Sequence, residues 1–246
     1  MQILTFADGS QYSYLFMQLF RKTCYILVLT TVVLGCQTSR GIVNRVEGDS
    51  PVRFGLVADI QYCDCDTRGS RYYRHSLQKL DECVDHLNRE KVEFTVNLGD
   101  LVDRDTPHNL DSVLVKFKRH HTPVYHTTGN HDYGGIQDNG QLFRLLNMPD
   151  EYYSFKRGGW RFIMLNTNEI ASYSNVVGTW RESELEEINK KLKELGHNPV
   201  EYNGGVSSRQ LQWLQKLLVN AKKSGEKVII FSHHPLDCVI GLTSCN

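Results

Sequence analysis

Four short stretches carry residue types that do chemistry. In "VNLGDLVDRD" an aspartate, Asp100, follows an apolar run, and in "TTGNHDYGG" Asn130 and His131 follow another. The same pattern recurs at "LVADIQY", with Asp59 and Gln61, and at "FSHHP", with His233 and His234. Carboxylate, amide oxygen and imidazole gathered at one edge form the donor set that a hard or borderline divalent cation prefers, and thiolate-loving ions do not. Each residue alone has an ordinary explanation. Asp59 or Asp100 could cap a helix, Asn130 could sit in a turn beside Gly129, and His126 or His234 could be satisfied by backbone carbonyls. Four such sites in order call for a joint explanation.

The elements that must position these groups are strands. "VRFGLVA" (52–58), "VEFTVNL" (92–98), "PVYHTT" (123–128), "RFIMLN" (161–166) and "KVIIFS" (227–232) are short apolar, β-branched runs. They lack clean alternation, which fits strands buried on both faces. Between the first two, Tyr73, Leu77, Leu80, Val84 and Leu87 recur at helical spacing. Between the last two, "SSRQLQWLQKLLVNAKKSG" predicts a helix with Ser207 or Ser208 as N-cap and Gly225 just past its end. This is a βαβ pattern, and it predicts a layered α/β core. A charged segment, about 169–204, with a helix near 181–195, reads as an insertion over one edge. Open α/β sheets place ligands at the carboxyl ends of their strands, where all the groups above fall.

Composition narrows the function classes. The 246 residues carry 28 basic and 28 acidic side chains and no long basic run, so the electrostatic footprint of a nucleic-acid binder is missing. The N-terminal region differs from the rest. "CYILVLTTVVLGC", Cys24 to Cys36, follows Arg21 and Lys22 and is shorter than the ~20 apolar residues that span a bilayer. It reads as a signal-peptide core. Its Leu34-Gly35-Cys36 ending resembles a bacterial lipobox, with translation starting at Met17. The expected organisation is a lipoprotein-type signal over 1–36, a tether over 37–50 and one domain over 51–246. Cys36 would then carry lipid and hold the protein on the extracytoplasmic side of a bacterial membrane. A plain secretory signal, giving a secreted or periplasmic protein, and an uncleaved anchor are the alternatives. Cys63-Asp64-Cys65 lacks the spacing of zinc or redox motifs and reads as an incidental surface pair.

Taken in order, the motifs resemble those of the calcineurin-like metallophosphoesterases: D-x-H, G-D-x-x-D-R, G-N-H-[DE], S-H-x-P and G-H-x-H. Here the first element is Asp59-Ile60-Gln61, with glutamine in place of histidine. That departure, with "RYYRHSL" (71–77), "NGGVSSRQLQWL" (203–214) and "SHHPL" (232–236), resembles the branch of manganese-dependent ADP-ribose/CDP-alcohol diphosphatases. The resemblance covers Phe54 to about Asp237 and implies an α-β-β-α sandwich. It implies two divalent cations, Mn²⁺ first, with iron or zinc as the other options. Asp59 and Gln61 would hold one, Asn130 and His233 the other, and Asp100 would bridge. His131 would stand over the phosphate as proton donor, with Asp103 and Arg104 as orienting residues. In "RYYRHSL", Arg71 and Arg74 are three apart at a helix start, so both could reach one diphosphate while Tyr72 or Tyr73 stacks on a base. A solvated helix start is the plain alternative.

No G-H-x-H element follows "PLDCVIGLTSCN", so the resemblance predicts a sandwich whose C-terminal part is missing, as a fragment, a frameshift or a premature stop. The expected substrate is a small phosphorylated molecule, a nucleotide diphosphate compound such as ADP-ribose or a CDP-alcohol. The alternatives are a phosphomonoesterase or protein phosphatase, and a metal-poor remnant that binds phosphorylated ligands without turnover. Oligomeric state is not legible in the sequence.

Overall fold

The computed structural model describes residues 51–198 and 200–236. The expected signal, lipid site at Cys36 and tether, and the C-terminal "DCVIGLTSCN", lie outside them. Among the described residues no helix is long and apolar enough to cross a membrane.

Along the chain run β1 (Phe54–Val57), α1 (His75–Arg89), β2 (Phe94–Asn97), α2 (Thr106–Phe117) and β3 (Val124–His126). A short 3-10 helix (Asn130–Tyr133), α3 (Asn139–Leu145), β4 (Tyr153–Arg157) and β5 (Trp160–Met164) follow. Then come α4 (Trp180–Glu194), α5 (Ser208–Lys223) and β6 (Lys227–Phe231). The strands form two three-stranded sheets, β1-β2-β3 and β4-β5-β6. The first is wholly parallel. In the second, β5 pairs with β4 antiparallel and with β6 parallel.

The two sheets meet through phenylalanines. Phe94 of β2 packs on Phe162 of β5 and Phe155 of β4 at ring separations of 4.9 and 5.2 Å, and Phe54 of β1 reaches Phe231 of β6 at 5.8 Å. Offset and edge-on rings of this kind bury large apolar area with favourable geometry. On the other side of the first sheet lies α1, whose Leu80, Cys83, Val84 and Leu87 are buried. It packs so closely that a Cβ at Gly55 would come within 2.6 Å of Leu87. The adjoining helix α2 is tied to α1 by Asp81, which accepts from Lys116 at 2.6 Å and from Arg119. Helix α5 lies against β6 and completes a helix-sheet-sheet-helix sandwich, the expected layering.

Helix α5 starts as the sequence predicts, with the Ser207 hydroxyl accepting from Gln210 N, and Gly225 at φ +65° lies just past its end. The turn between β4 and β5 is Gly158-Gly159, both at positive φ as a two-residue type I′ hairpin requires. Helix α4 of the predicted insertion has no buried residue. The start of that segment is different. Glu169, Ile170 and Ala171 are buried, and the Glu169 carboxylate accepts from Ser207 N, Ser207 Oγ and Gln210 Nε2 at 2.6 to 2.9 Å.

Candidate dimetal site

β1, β2 and β3 run parallel, so the loops after them open at one edge, and β6 delivers its own loop to the same place. There, backbone pairing continues past the strands: Asp59 N donates to Gly99 O, Gln61 N to Asp100 O and Tyr62 N to Leu101 O, at 2.9 to 3.2 Å. These bonds zip the Asp59 loop to the Asp100 loop. Within them, Asp59, Gln61 and Asp100 all have left-handed backbones, at φ +54°, +45° and +56°. For non-glycine residues this costs of order 1–3 kcal/mol each and persists where the surroundings impose it. The surroundings are tight. A Cβ at Gly99 would lie 2.2 Å from Gly129 N, and one at Gly129 would lie 2.1 Å from Asp100 Oδ1. Two glycines therefore let the loops after β2 and β3 touch backbone to backbone.

A buried carboxylate locks this contact. Asp132 accepts N–H bonds from Asp100, Leu101 and Gly129 at 2.8 to 3.0 Å and a longer one from Val102. Burial, and secondarily the Asp100 charge, pushes its pKa up to about 7. Asp132 fills the acidic position of the G-N-H-[DE] pattern, but nothing in the local sequence marks it as the anchor of backbone N–H groups.

The side chains then converge. Gln61 Nε2 donates to Asp100 Oδ2 at 3.1 Å, and His131 N donates to Asp100 Oδ1 at 3.0 Å. His233 Nδ1 is 2.8 Å from the carbonyl of Leu98, so Nδ1 carries the proton and a neutral ring has its lone pair on Nε2. That Nε2 faces Asn130 Oδ1 at 3.2 Å and Asp100 Oδ1 at 3.6 Å. With that ring neutral, three acceptors face one another, an arrangement that suits a cation among them, and the donor set fits one. Asp59 stands at the rim, its carboxyl pKa raised by desolvation and then by the Asp100 charge, as expected of an acid facing another acid. Among the described residues no three His, Cys, Asp or Glu side chains form a metal cage by themselves. The amide oxygens of Gln61 and Asn130 are needed to complete it.

His131 is held differently. Its Nδ1 is 2.6 Å from the Asp103 carbonyl, which leaves Nε2 free, 4.0 Å from Asp100 Oδ2. The Asp103 side chain is buried and accepts from Arg71 Nη1 at 3.1 Å and from Arg104 at 2.8 and 3.0 Å. His126, by contrast, meets the amide of Asn97 rather than a carbonyl. His234 takes the Tyr202 carbonyl as one partner.

Three readings of the sequence need correction. Tyr73 is only 3% exposed, with Arg104 over its ring, so it offers no stacking face; Tyr72, 56% exposed, does. Arg74 is committed elsewhere than Arg71. Its Nε donates to Asp64 and its Nη1 to Asp66 at 2.7 and 2.9 Å, so two of its three nitrogens are committed. Cys63 and Cys65 form a disulfide, and Cys63 is buried, so they are not an incidental surface pair. A cavity of about 420 Å³ between α3 and α4, lined by Asp138, Asn139, Phe143, Glu151 and Arg181, includes none of the residues above.

A two-sheet sandwich with carboxylate, amide and imidazole donors on the loops at one edge defines a metal-dependent phosphohydrolase. The sequence model of the calcineurin-like phosphoesterases matches residues 52–245, and the chain belongs to that family. It is 30% identical to a manganese-dependent ADP-ribose/CDP-alcohol diphosphatase of Oryza sativa subsp. japonica, over 81% of this chain and 70% of that protein. A human protein of the same name is 31% identical over 74% of this chain and 66% of its own length. The fold is similar to that of a dimetal phosphatase from Danio rerio, at a TM-score of 0.64 and 28% identity, covering 75% of this chain and 70% of that one.

Proposed function

We propose that the protein hydrolyses the diphosphate bridge of nucleotide compounds such as ADP-ribose or CDP-alcohols, with two divalent cations, manganese first. The observation that carries this reading is the meeting of His233 Nε2, Asn130 Oδ1 and Asp100 Oδ1, donor atoms that suit a divalent cation between them. The names of the rice and human relatives supply the substrate class. Asp59 and Gln61 would hold one cation and Asn130 and His233 the other, with Asp100 available to both. Bound there, the cations neutralise phosphoryl charge and make a water nucleophilic at neutral pH.

The chain's own residues do the rest. Gln61 Nε2 fixes one Asp100 oxygen and the His131 N–H fixes the other, so the carboxylate cannot rotate. The Asp103 carbonyl fixes the His131 tautomer, so Nε2 is the atom that hands a proton to the leaving oxygen. We also propose that the mature chain begins at lipid-bearing Cys36, on the motif alone; mass spectrometry of the N-terminal peptide from membrane fractions reads it directly. The reaction is tested by incubating the protein with ADP-ribose and Mn²⁺, with EDTA as control. AMP should appear only with the metal. Lack of turnover on diphosphates, monoesters and diesters alike would sink the reading.

A further inference from the structure

Arg68 and Arg71 are partners across a hairpin tip. Arg68 N donates to Arg71 O at 3.1 Å and Arg71 N to Arg68 O at 3.0 Å, closing the turn Arg68-Gly69-Ser70-Arg71 with Gly69 at φ +60°. Residues paired in this way project side chains to the same face with Cβ atoms roughly 5 Å apart, and like charges so placed disfavour the hairpin. The repulsion is not relieved by a carboxylate on Arg68, whose side chain has no partner among the described residues. Arg71 gives one Nη1–H to Asp103 and keeps the rest of its fork unpaired among the described residues. Asp103 is also the residue whose carbonyl holds His131, so Arg71 is anchored to the same residue that positions the proton donor. Next in the chain, Tyr72 lies parallel to His75, ring centroids 5.8 Å apart at 11°, with 56% of its surface open.

Two guanidiniums on one face of the tip, Arg68 without a partner among the described residues and Arg71 keeping part of its fork beside its Asp103 contact, fit a phosphate between them. An exposed ring beside them fits a base. We propose that the Arg68–Arg71 tip holds the phosphate that is not attacked, and that Tyr72 stacks on the nucleobase attached to it. The ligand class is a nucleoside diphosphate moiety, and the inference rests on the reaction proposed above. It replaces the helical pair Arg71 and Arg74 by a hairpin pair, because Arg74 is spent on Asp64 and Asp66.

The test is calorimetric titration of the full chain with ADP and, separately, with orthophosphate, both in the presence of Mn²⁺. Arg68→Ala should weaken ADP binding about tenfold, the loss expected of one charge-assisted contact, and should weaken orthophosphate binding much less. Tyr72→Ala should weaken ADP binding about as much, while Tyr72→Phe stays within about twofold because the ring is kept. Arg68 is exposed, so unchanged thermal melting should accompany the loss; Arg68→Glu, with the same backbone, should lose more. Unchanged ADP affinity in Arg68→Ala and Arg68→Glu, or equal losses for ADP and orthophosphate, overturns the assignment. ADP-ribose turnover by the wild-type protein alongside unchanged ADP affinity in these variants would sink the clamp and leave the reaction standing. ADP affinity lost as expected, without turnover of any diphosphate, would do the reverse.

Discussion

Asp132 holds Asp100 by its backbone: the Asp100 N–H lies 3.0 Å from Asp132 Oδ2, and the Gly129 N–H lies 2.9 Å from the same oxygen. One carboxylate thus joins the loop after β2 to the loop after β3. Removing it orphans several buried N–H groups at once, each costing about 1–3 kcal/mol. Asp132→Ala should lose about 3–5 kcal/mol of stability in urea unfolding, with Mn²⁺ affinity falling too because Asp100 and Asn130 lose their register. Asp132→Asn should also destabilise, since its amide NH₂ confronts N–H donors. A loss under about 1 kcal/mol in Asp132→Ala would show that the loops are joined by other means.

Gly129 has no room for a side chain. Its Cβ would sit 2.1 Å from Asp100 Oδ1 and 2.4 Å from Asp100 N. Neither atom belongs to a flexible tip, because Asp100 is pinned by Gln61, His131 and Asp132. Gly129→Ala should therefore push the Asp100 carboxylate away from His233 and lower activity at least about a hundredfold, with a matching loss of Mn²⁺ affinity. Calorimetric titration of Mn²⁺ measures the second effect, and wild-type affinity in this variant would contradict the placement of Asp100 between the two cations.

His126 makes stability depend on pH. It is buried at the end of β3, with Nδ1 facing Asn97 Nδ2 at 3.3 Å, and burial pushes its pKa from the usual 6.5 down to about 4. The unfolded chain takes up a proton near pH 6.5 and the native chain not until about 4, so this residue's contribution falls as pH drops across that window and is constant above it. The full loss is on the order of 3 kcal/mol. Urea midpoints between pH 7.5 and 4.5 should decline less steeply in His126→Gln than in the wild-type protein; equal slopes would show that the proton finds a partner in the native state.

Much of this architecture is legible in the chain because parallel strands buried on both faces read as apolar runs, and polar residues just past them stand out. Asp100, Asn130 and His233 are found by that signal, and the structure brings them within hydrogen-bonding or near-contact distance. β4 escapes it because Tyr153–Arg157 is half-exposed and carries Lys156 and Arg157, although Gly158-Gly159 is a hairpin signal. The Glu169–Gln210 contact joins residues 41 positions apart, and the roles of Asp132 and Glu169 depend on backbone N–H groups that carry no sequence signature. Tyr73 is in phase with Leu80, Val84 and Leu87 and is buried as they are, so of the two rings the sequence offers for stacking it is Tyr72 that stays exposed.

His131 separates binding from chemistry. Its Nδ1 is committed to the Asp103 carbonyl at 2.6 Å, and Nε2 lies 4.0 Å from the nearer Asp100 oxygen, too far for a hydrogen bond, so the ring is held without a partner on its working atom. A ring fixed in this way suits proton donation to a leaving oxygen, a contribution of about 10²–10⁴ in rate. His131→Ala should lower kcat by about that range and leave Mn²⁺ affinity near the wild-type value, because the His131 contact to Asp100 is made by its backbone N–H, which alanine retains. A substrate with a good leaving group, such as bis(p-nitrophenyl) phosphate, needs less protonation, so the same variant should lose less on it than on ADP-ribose. Equal losses on both substrates, together with weakened Mn²⁺ binding, would show instead that the imidazole is a ligand.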